Sequence, residues 1–291
     1  MRLVHTIAQV REAVADARRL GSTIGLVPTM GALHEGHLSL MRQSRRQCGF
    51  VAVSIFINPT QFAPSEDFAS YPRTLDDDAQ KCEQEGVDLL FAPNALEMYP
   101  QGFDSWIEVG GLTSLLEGVS RPGHFRGVGT VCLKLFNISQ PDRAYFGQKD
   151  YQQLQVIKKM VSDLNAPIEI VTVETQREHD GLALSSRNRY LSKVERQAAT
   201  VLYQALQAAQ AEYASGQRDS SALEQVIHSV ITAQPLAEID YAVVVDADTL
   251  LPVDTIDRRV VVLLAVRVGL TRLIDNIILN NDATNNWIIP D

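Results

Sequence analysis

Two histidines three residues apart, His34 and His37, close the stretch Pro28-Thr29-Met30-Gly31-Ala32-Leu33-His34-Glu35-Gly36-His37, where an apolar run ends and a helical pattern begins. A helix start at the carboxyl edge of a strand offers unpaired amides and positive potential, the chemistry that holds phosphate. Imidazoles at i and i+3 project from one helical face. Gly36 leaves room for a flat base or a ribose. The same residues also fit a glycine turn with two capping histidines. A second constellation is Leu184-Ser185-Ser186-Arg187-Asn188, preceded by His179-Asp180-Gly181. Two hydroxyls beside an always-charged guanidinium make a phosphate clamp. Phe146-Gly147-Gln148-Lys149-Asp150 places a lysine between a strand and a helix, a point charge for a polyphosphate. Asn58-Pro59-Thr60-Gln61-Phe62 sets two neutral amides at another strand exit, suited to hydroxyl or carboxylate recognition. The run Asp76-Asp77-Asp78 reads either as a first helical turn favoured by the dipole or as a metal contact.

Strands and helices must alternate to position these groups. Helical spacing covers residues 6–20, 37–47, 75–85 and 151–164, and apolar strand-like runs cover 23–27, 50–57, 87–91, 144–146 and 168–173. Residues 128–136 fit either type. Near-continuous apolar strands between helices predict an α/β fold, a Rossmann-like parallel sheet covered on both faces. The pattern changes after 175. Helical segments at 194–214 and 221–233, the second capped by Ser220 or Ser221, are followed by strands at 239–245, 260–268 and 271–279. This predicts domains at 1–175 and 176–291, the second a smaller α+β domain, with the boundary inside 174–188. The Asn-rich tail 280–291 is expected to be loosely ordered.

The chain has 291 residues, 45% of them hydrophobic, and a formal net charge of −9. An acidic balance argues against nucleic acid, whose phosphates need clustered Lys and Arg. No apolar run approaches the roughly 20 residues that span a bilayer; 260–266 sits between arginines and reads as a buried strand. The opening residues carry no apolar core, so neither a membrane span nor a signal peptide is expected, and the cytoplasm is. Cys48, Cys82 and Cys132 are widely spaced with no CxxC, which points to reduced, buried thiols.

Six motifs in order resemble the pantothenate synthetases, also called pantoate–β-alanine ligases: VPTMGALHEGH (27–37), SIFINPTQF (54–62), YPRTLDDD (71–78), LEGVSRPGHFRGV (116–128), FGQKDYQQL (146–154) and DGLALSSRN (180–188). Weaker matches are DADTL (246–250) and RLIDN (272–276). Thr60 stands where the family often has Met, and Gln148 where it often has Glu. The resemblance implies a nucleotidyltransferase-type domain, a C-terminal lid domain and a two-step ligation. Pantoate attacks ATP to give pantoyl adenylate, and β-alanine then displaces AMP. It implies that Met30, Gly31, Ala32, Leu33, His34, Glu35, Gly36 and His37 hold ATP. His34, His37, Lys149 and Arg187 would act on the phosphates, with His37 as a proton donor of pKa near working pH. Gly147, Gln148, Lys149 and Asp150 would hold ribose and phosphates, with Gln176 as a further nucleotide contact. Leu184, Ser185, Ser186 and Arg187 would close over the triphosphate. Gln61 and Gln153 would grip pantoate, and Gln61 later β-alanine. Mg²⁺ is expected with ATP, touched by Asp77, and a homodimer is the expected assembly. Arg121, His124, Phe125 and Arg126 fit either a substrate loop or a structural contact. An HxGH and a serine clamp also occur in aminoacyl-tRNA synthetases and cytidylyltransferases; the acidic balance, the short chain and the glutamines at 61 and 153 disfavour both. A nucleotide-sensing module is the non-enzymatic alternative.

Overall fold

The computed structural model describes residues 1–64 and 66–280. From 281 on, the tail expected to be loosely ordered lies outside the described residues. The chain divides into two compact units, Met1–Gln176 and Arg177–Asp291.

The first unit runs β1 (Arg2–Val4), α1 (Ile7–Arg19), β2 (Ile24–Thr29), α2 (Glu35–Gln47), β3 (Phe50–Ile55), a 3-10 turn (Pro59–Gln61), α3 (Leu75–Gln84), β4 (Leu89–Phe91), α4 (Ala95–Met98), α5 (Glu117–Ser120), α6 (His124–Ser139), β5 (Arg143–Gly147), α7 (Tyr151–Asp163) and β6 (Glu169–Val173). The six strands are parallel, in the order β1-β4-β3-β2-β5-β6. Their side chains alternate between two cores. Ile24, Leu26, Ala52, Leu89, Phe91, Ala144 and Phe146 pack with α1, α6 and α7. Val27, Val51, Val53, Leu90 and Tyr145 pack with α2 and α3. Both faces are covered, which is why the strands read as unbroken apolar runs. This is the expected α/β architecture. β2 lies between β3 and β5, so the chain leaves it toward opposite sides, and such a reversal opens a crevice at the carboxyl ends.

The ambiguous residues 128–136 lie in the helix α6. Gly127 is where that helix meets the 3-10 turn: a Cβ there would stand 2.4 Å from the Thr60 carbonyl oxygen and 2.7 Å from the Gln61 nitrogen. Cys48, Cys82 and Cys132 are free and buried, as expected.

The second unit holds α8 (Lys193–Ala198), α9 (Val201–Ala214), α10 (Ser220–Thr232), β7 (Ala237–Asp246), β8 (Val260–Val268) and β9 (Thr271–Leu279). The strands form an antiparallel sheet with β8 central, and its apolar face packs against α9 and α10. The single helix expected at 194–214 is broken after Ala198. The N-cap of α10 is Asp219, not a serine: its carboxylate accepts from the Ser221 (2.8 Å) and Ala222 (3.3 Å) amides, while Ser220 Oγ turns inward to the Val253 carbonyl. Among the described residues no helix is long and apolar enough to cross a membrane.

Candidate active site

After Thr29 the chain turns through Gly31 (φ +83°) and Ala32 (φ +52°) before α2 begins. A left-handed alanine costs about 1–2 kcal/mol. Asp78, buried on α3, holds it in place. Its Oδ2 accepts from the Ala32 amide and its Oδ1 from the Leu33 amide, each at 2.8 Å, and Thr74 Oγ1 donates to Oδ2 at 3.0 Å. Lys81 Nζ donates to the Leu33 carbonyl (2.8 Å) and stands 4.0 Å from Asp78 Oδ1. Two loop amides expected to face phosphate are therefore spent on a carboxylate beneath the loop. Asp77, expected to touch a cation, is exposed on the same helix. Among the described residues no group of three or more His, Cys, Asp or Glu side chains could hold a metal ion.

His34 is the N-cap of α2 and His37 completes a capping box. His34 Nδ1 accepts from the Gly36 amide (3.2 Å), and the His34 amide donates to His37 Nδ1 (3.4 Å). The ring centroids are 4.2 Å apart. Each Nδ1 accepts, so each neutral ring carries its proton on Nε2. The motif is thus a cap and a pair of N–H donors at once. Burial first, then the neighbouring His34, with Lys149 and Lys81 acting the same way and Asp150 opposing, lowers the His37 pKa to about 3. The ligand-free ring is neutral at pH 7. The free ring thus departs from the expected pKa near working pH, and its Nε2–H stands as a hydrogen-bond donor.

His124 is likewise held neutral, its pKa lowered to about 4 by burial and then by the Arg121 charge. The unfolded chain takes up both protons near the ordinary value of about 6.5, before the folded chain does. Stability therefore falls as pH drops below about 6.5, by at most about 1.4 kcal/mol per pH unit for each proton, and less at His37, which is partly open to solvent. Calorimetric scans from pH 8 to pH 5 should show this fall, and His124→Asn should make it shallower.

At the exit of β5, Lys149 Nζ lies 3.5 Å from Asp150 Oδ1. Both charges act on His37, so the ends of β2 and β5 share one electrostatic site. At the exit of β3, buried Asn58 donates from Nδ2 to Gln61 Oε1 and to the Gly127 carbonyl, each at 3.1 Å. Its Oδ1 accepts from Tyr99 OH and Thr60 Oγ1, each at 2.9 Å, so the hydroxyl at 60 is used in holding Asn58. With Oε1 engaged, Gln61 presents Nε2, which donates to Met30 Sδ at 3.2 Å. A thioether is a weak acceptor, so a carboxylate or hydroxyl can claim that donor. Gln153 is half-buried in the first turn of α7. Its neighbour Gln152 is committed to structure, accepting from the Glu117 amide and donating to the Leu112 and Leu115 carbonyls. Gln176 ends the first unit, its Nε2 donating to the Glu174 carbonyl (3.3 Å).

Leu184, Ser185, Ser186 and Arg187 belong to the second unit. A bridge between Arg177 and Ala183 closes a short hairpin. Its turn residue Gly181 (φ +90°) lies under Tyr203, where a Cβ would overlap the ring. Arg177 grips the buried Asp275 carboxylate at 2.6 and 2.9 Å. Ser185 Oγ then accepts from the Arg187 amide (3.3 Å), starting a 3-10 turn, Ser186–Tyr190, and Asn188 Nδ2 donates to the Ala183 carbonyl (3.1 Å). The hairpin fixes where the serine–arginine turn begins.

A family model for pantoate-beta-alanine ligase matches residues 2–278. The chain belongs to the pantoate–β-alanine ligase family. Similar ligases include the pantothenate synthetases of Moorella thermoacetica, 57% identical over 96% of this chain and 99% of that one, and of a Roseiflexus species, 55% identical over the same shares. The crystal structure of pantothenate synthetase from Thermus thermophilus matches with a TM-score of 0.91 at 47% identity, over 95% of this chain and 99% of that one. The ligase from Francisella tularensis, complexed with beta-gamma ATP and beta-alanine, matches with a TM-score of 0.77 at 36% identity, over 95% and 97%. In this ligase chain, Asp78 and Lys81 brace the loop in roles that motif reading did not assign, and Asn58, read as a recognition group, is spent on Gln61, Gly127, Tyr99 and Thr60. Asn58 was visible only as one of two amides. Asp78 differs from Asp77 by a single helical step of about 100°.

Proposed function

We propose that the chain joins pantoate to β-alanine at the expense of ATP in two steps. A pantoate carboxylate oxygen attacks the α-phosphorus, the bond to the β-phosphate breaks, and pyrophosphate leaves. The β-alanine amine then attacks the acyl carbon, AMP leaves, and the amine gives up a proton. The observation that carries this reading is the meeting of three strand exits. Lys149 reaches His37 electrostatically, and Gln61 bonds Met30. Cationic and N–H groups thus stand beside a neutral acid-binding amide. The ATP analogue and β-alanine in the Francisella ligase support these two substrates.

In this reading the loop 30–37 receives ATP, and His34 and His37 donate N–H bonds to its phosphates. Lys149 stabilises charge developing at the reacting phosphate, with Gly147, Gln148 and Asp150 at the ribose. Gln176 contacts the nucleotide. Ser185, Ser186 and Arg187, following Leu184, act as a lid over the triphosphate. Gln61 and Gln153 hold pantoate, and Gln61 then meets β-alanine. Mg²⁺ carried by ATP would supply charge neutralisation for the leaving pyrophosphate. Asp77, exposed on α3, would be its protein contact, directly or through water. The resemblance supports a homodimer, which sedimentation tests, and three buried free thiols fit a reducing cytoplasm.

With ATP and pantoate alone, pyrophosphate release should stop near about one equivalent per site, as expected for a retained intermediate; β-alanine should convert the burst into steady turnover with AMP. ATP binding without pyrophosphate or AMP under any combination would favour a sensor. Gln61→Ala should raise the KM for pantoate about tenfold or more, because it removes a buried donor, and leave the KM for ATP within about twofold. Steady-state kinetics with each substrate varied in turn decides this.

A further inference from the structure

Arg121 and His124 stand in the one matched motif still without a task, RPGHFRG (121–127). His124 is buried at the first residue of α6. Its Nδ1 lies 2.8 Å from the Gln61 carbonyl oxygen and its Nε2 lies 3.0 Å from Arg121 Nη1. A carbonyl only accepts and a guanidinium only donates, so the ring has one possible state: neutral, with the proton on Nδ1. The Arg121 guanidinium is in turn held by both oxygens of Glu66, Nε on Oε1 and Nη2 on Oε2 at 3.0 Å. Both partners are mostly buried, with side chains 17% and 20% exposed.

We infer that Glu66, Arg121 and His124 form a positioning relay that fixes Gln61 for the acid substrate. The inference rests on the reading of Gln61 as the pantoate donor. Two further contacts converge on the same residue. Gly127, one turn along α6, lets the helix backbone touch the Gln61 peptide. Asn58 ties the Gly127 carbonyl to Gln61 Oε1. His124 locks the Gln61 carbonyl. Gln61 is thus held at its carbonyl, its backbone nitrogen side and its side-chain oxygen, and only Nε2 is left on a soft partner. The neutral state of His124 is enforced by burial and by the Arg121 charge, which both lower its pKa. The relay orients a residue that binds substrate and does not itself touch substrate.

The test is steady-state kinetics on the full-length enzyme with pantoate and ATP varied separately. His124→Leu should raise the pantoate KM about tenfold, with the ATP KM changed less than about twofold. His124→Asn, whose amide nitrogen can replace Nδ1–H toward the Gln61 carbonyl, should recover to within about threefold of wild type. Arg121→Met should shift the pantoate KM the same way by about threefold, and it carries the test if His124→Leu melts early. In a Gln61→Ala background, His124→Leu should add less than about twofold, because the residue being positioned is gone. The relay is overturned if pantoate and ATP KM rise together, if Asn is no better than Leu, or if the His124 and Gln61 effects multiply. An unchanged pantoate KM in Gln61→Ala alone overturns the pocket reading and the relay with it. A raised one, with His124→Leu and Arg121→Met both silent, overturns the relay only.

Discussion

His37→Ala should slow adenylate formation about 10²–10³-fold while weakening ATP binding far less, the signature of a donor whose bond strengthens as charge develops. The structure sharpens what else to expect. The ring is neutral in the free protein, its Nδ1 is taken by the His34 amide, and Nε2 carries the proton. A glutamine can return an N–H donor but cannot act as an acid. His37→Gln should therefore recover about tenfold or more of the lost rate, whereas an imidazolium proton donor could not be rescued this way. Rapid-quench measurement of pyrophosphate, beside ATP affinity by titration calorimetry, separates the outcomes. Loss in affinity alone, or a glutamine no better than alanine, would remove His37 from this role.

Asp78→Ala should be the most damaging change outside the groups that meet ATP. It leaves the Ala32 and Leu33 amides without their acceptor, removes the partner of Thr74 Oγ1, and deprives Lys81 of its nearby carboxylate. Losing one member of such a buried charged network costs about 3–5 kcal/mol. Ala32 then loses the bonds that hold it left-handed. Because the same loop leads into His34 and His37, kcat/KM for ATP should fall about 10²-fold or more. Asp78→Asn should do little better, since one end of its amide would set N–H against N–H. Thermal unfolding and ATP kinetics on the two variants check this; an asparagine variant with normal ATP kinetics would show that the brace is dispensable.

The sheet was legible because each central strand is apolar on both sides, and the loop after β2 because glycine, histidine and a helix start coincide within ten residues. The three residues of β1 were too few to leave a pattern. The type of α6 was open because Gly127, Gly129 and several β-branched residues depress helix propensity; the backbone contact at Gly127 explains the glycine there. His34, His37, Lys149 and Gln61 were legible as candidates because motifs name them, and the brace at Asp78 was obscure because it acts from beneath the loop. Asp78 and Asp77 are chemically identical, and only the phase of α3 turns one inward. Neither the His37 tautomer nor the task of His124 is written in either motif, because both depend on which backbone group lies opposite the ring.

The missing side chain at position 127 also limits how this enzyme can be redesigned. Any larger residue there would wedge against the Thr60 carbonyl, so, on the reading of Gln61 as the acid's donor, the floor of that pocket cannot be raised from position 127. The adjustable wall is Met30, an unbranched and pliable thioether resting on Gln61. Attempts to accept bulkier hydroxy acids should start by shortening that side chain.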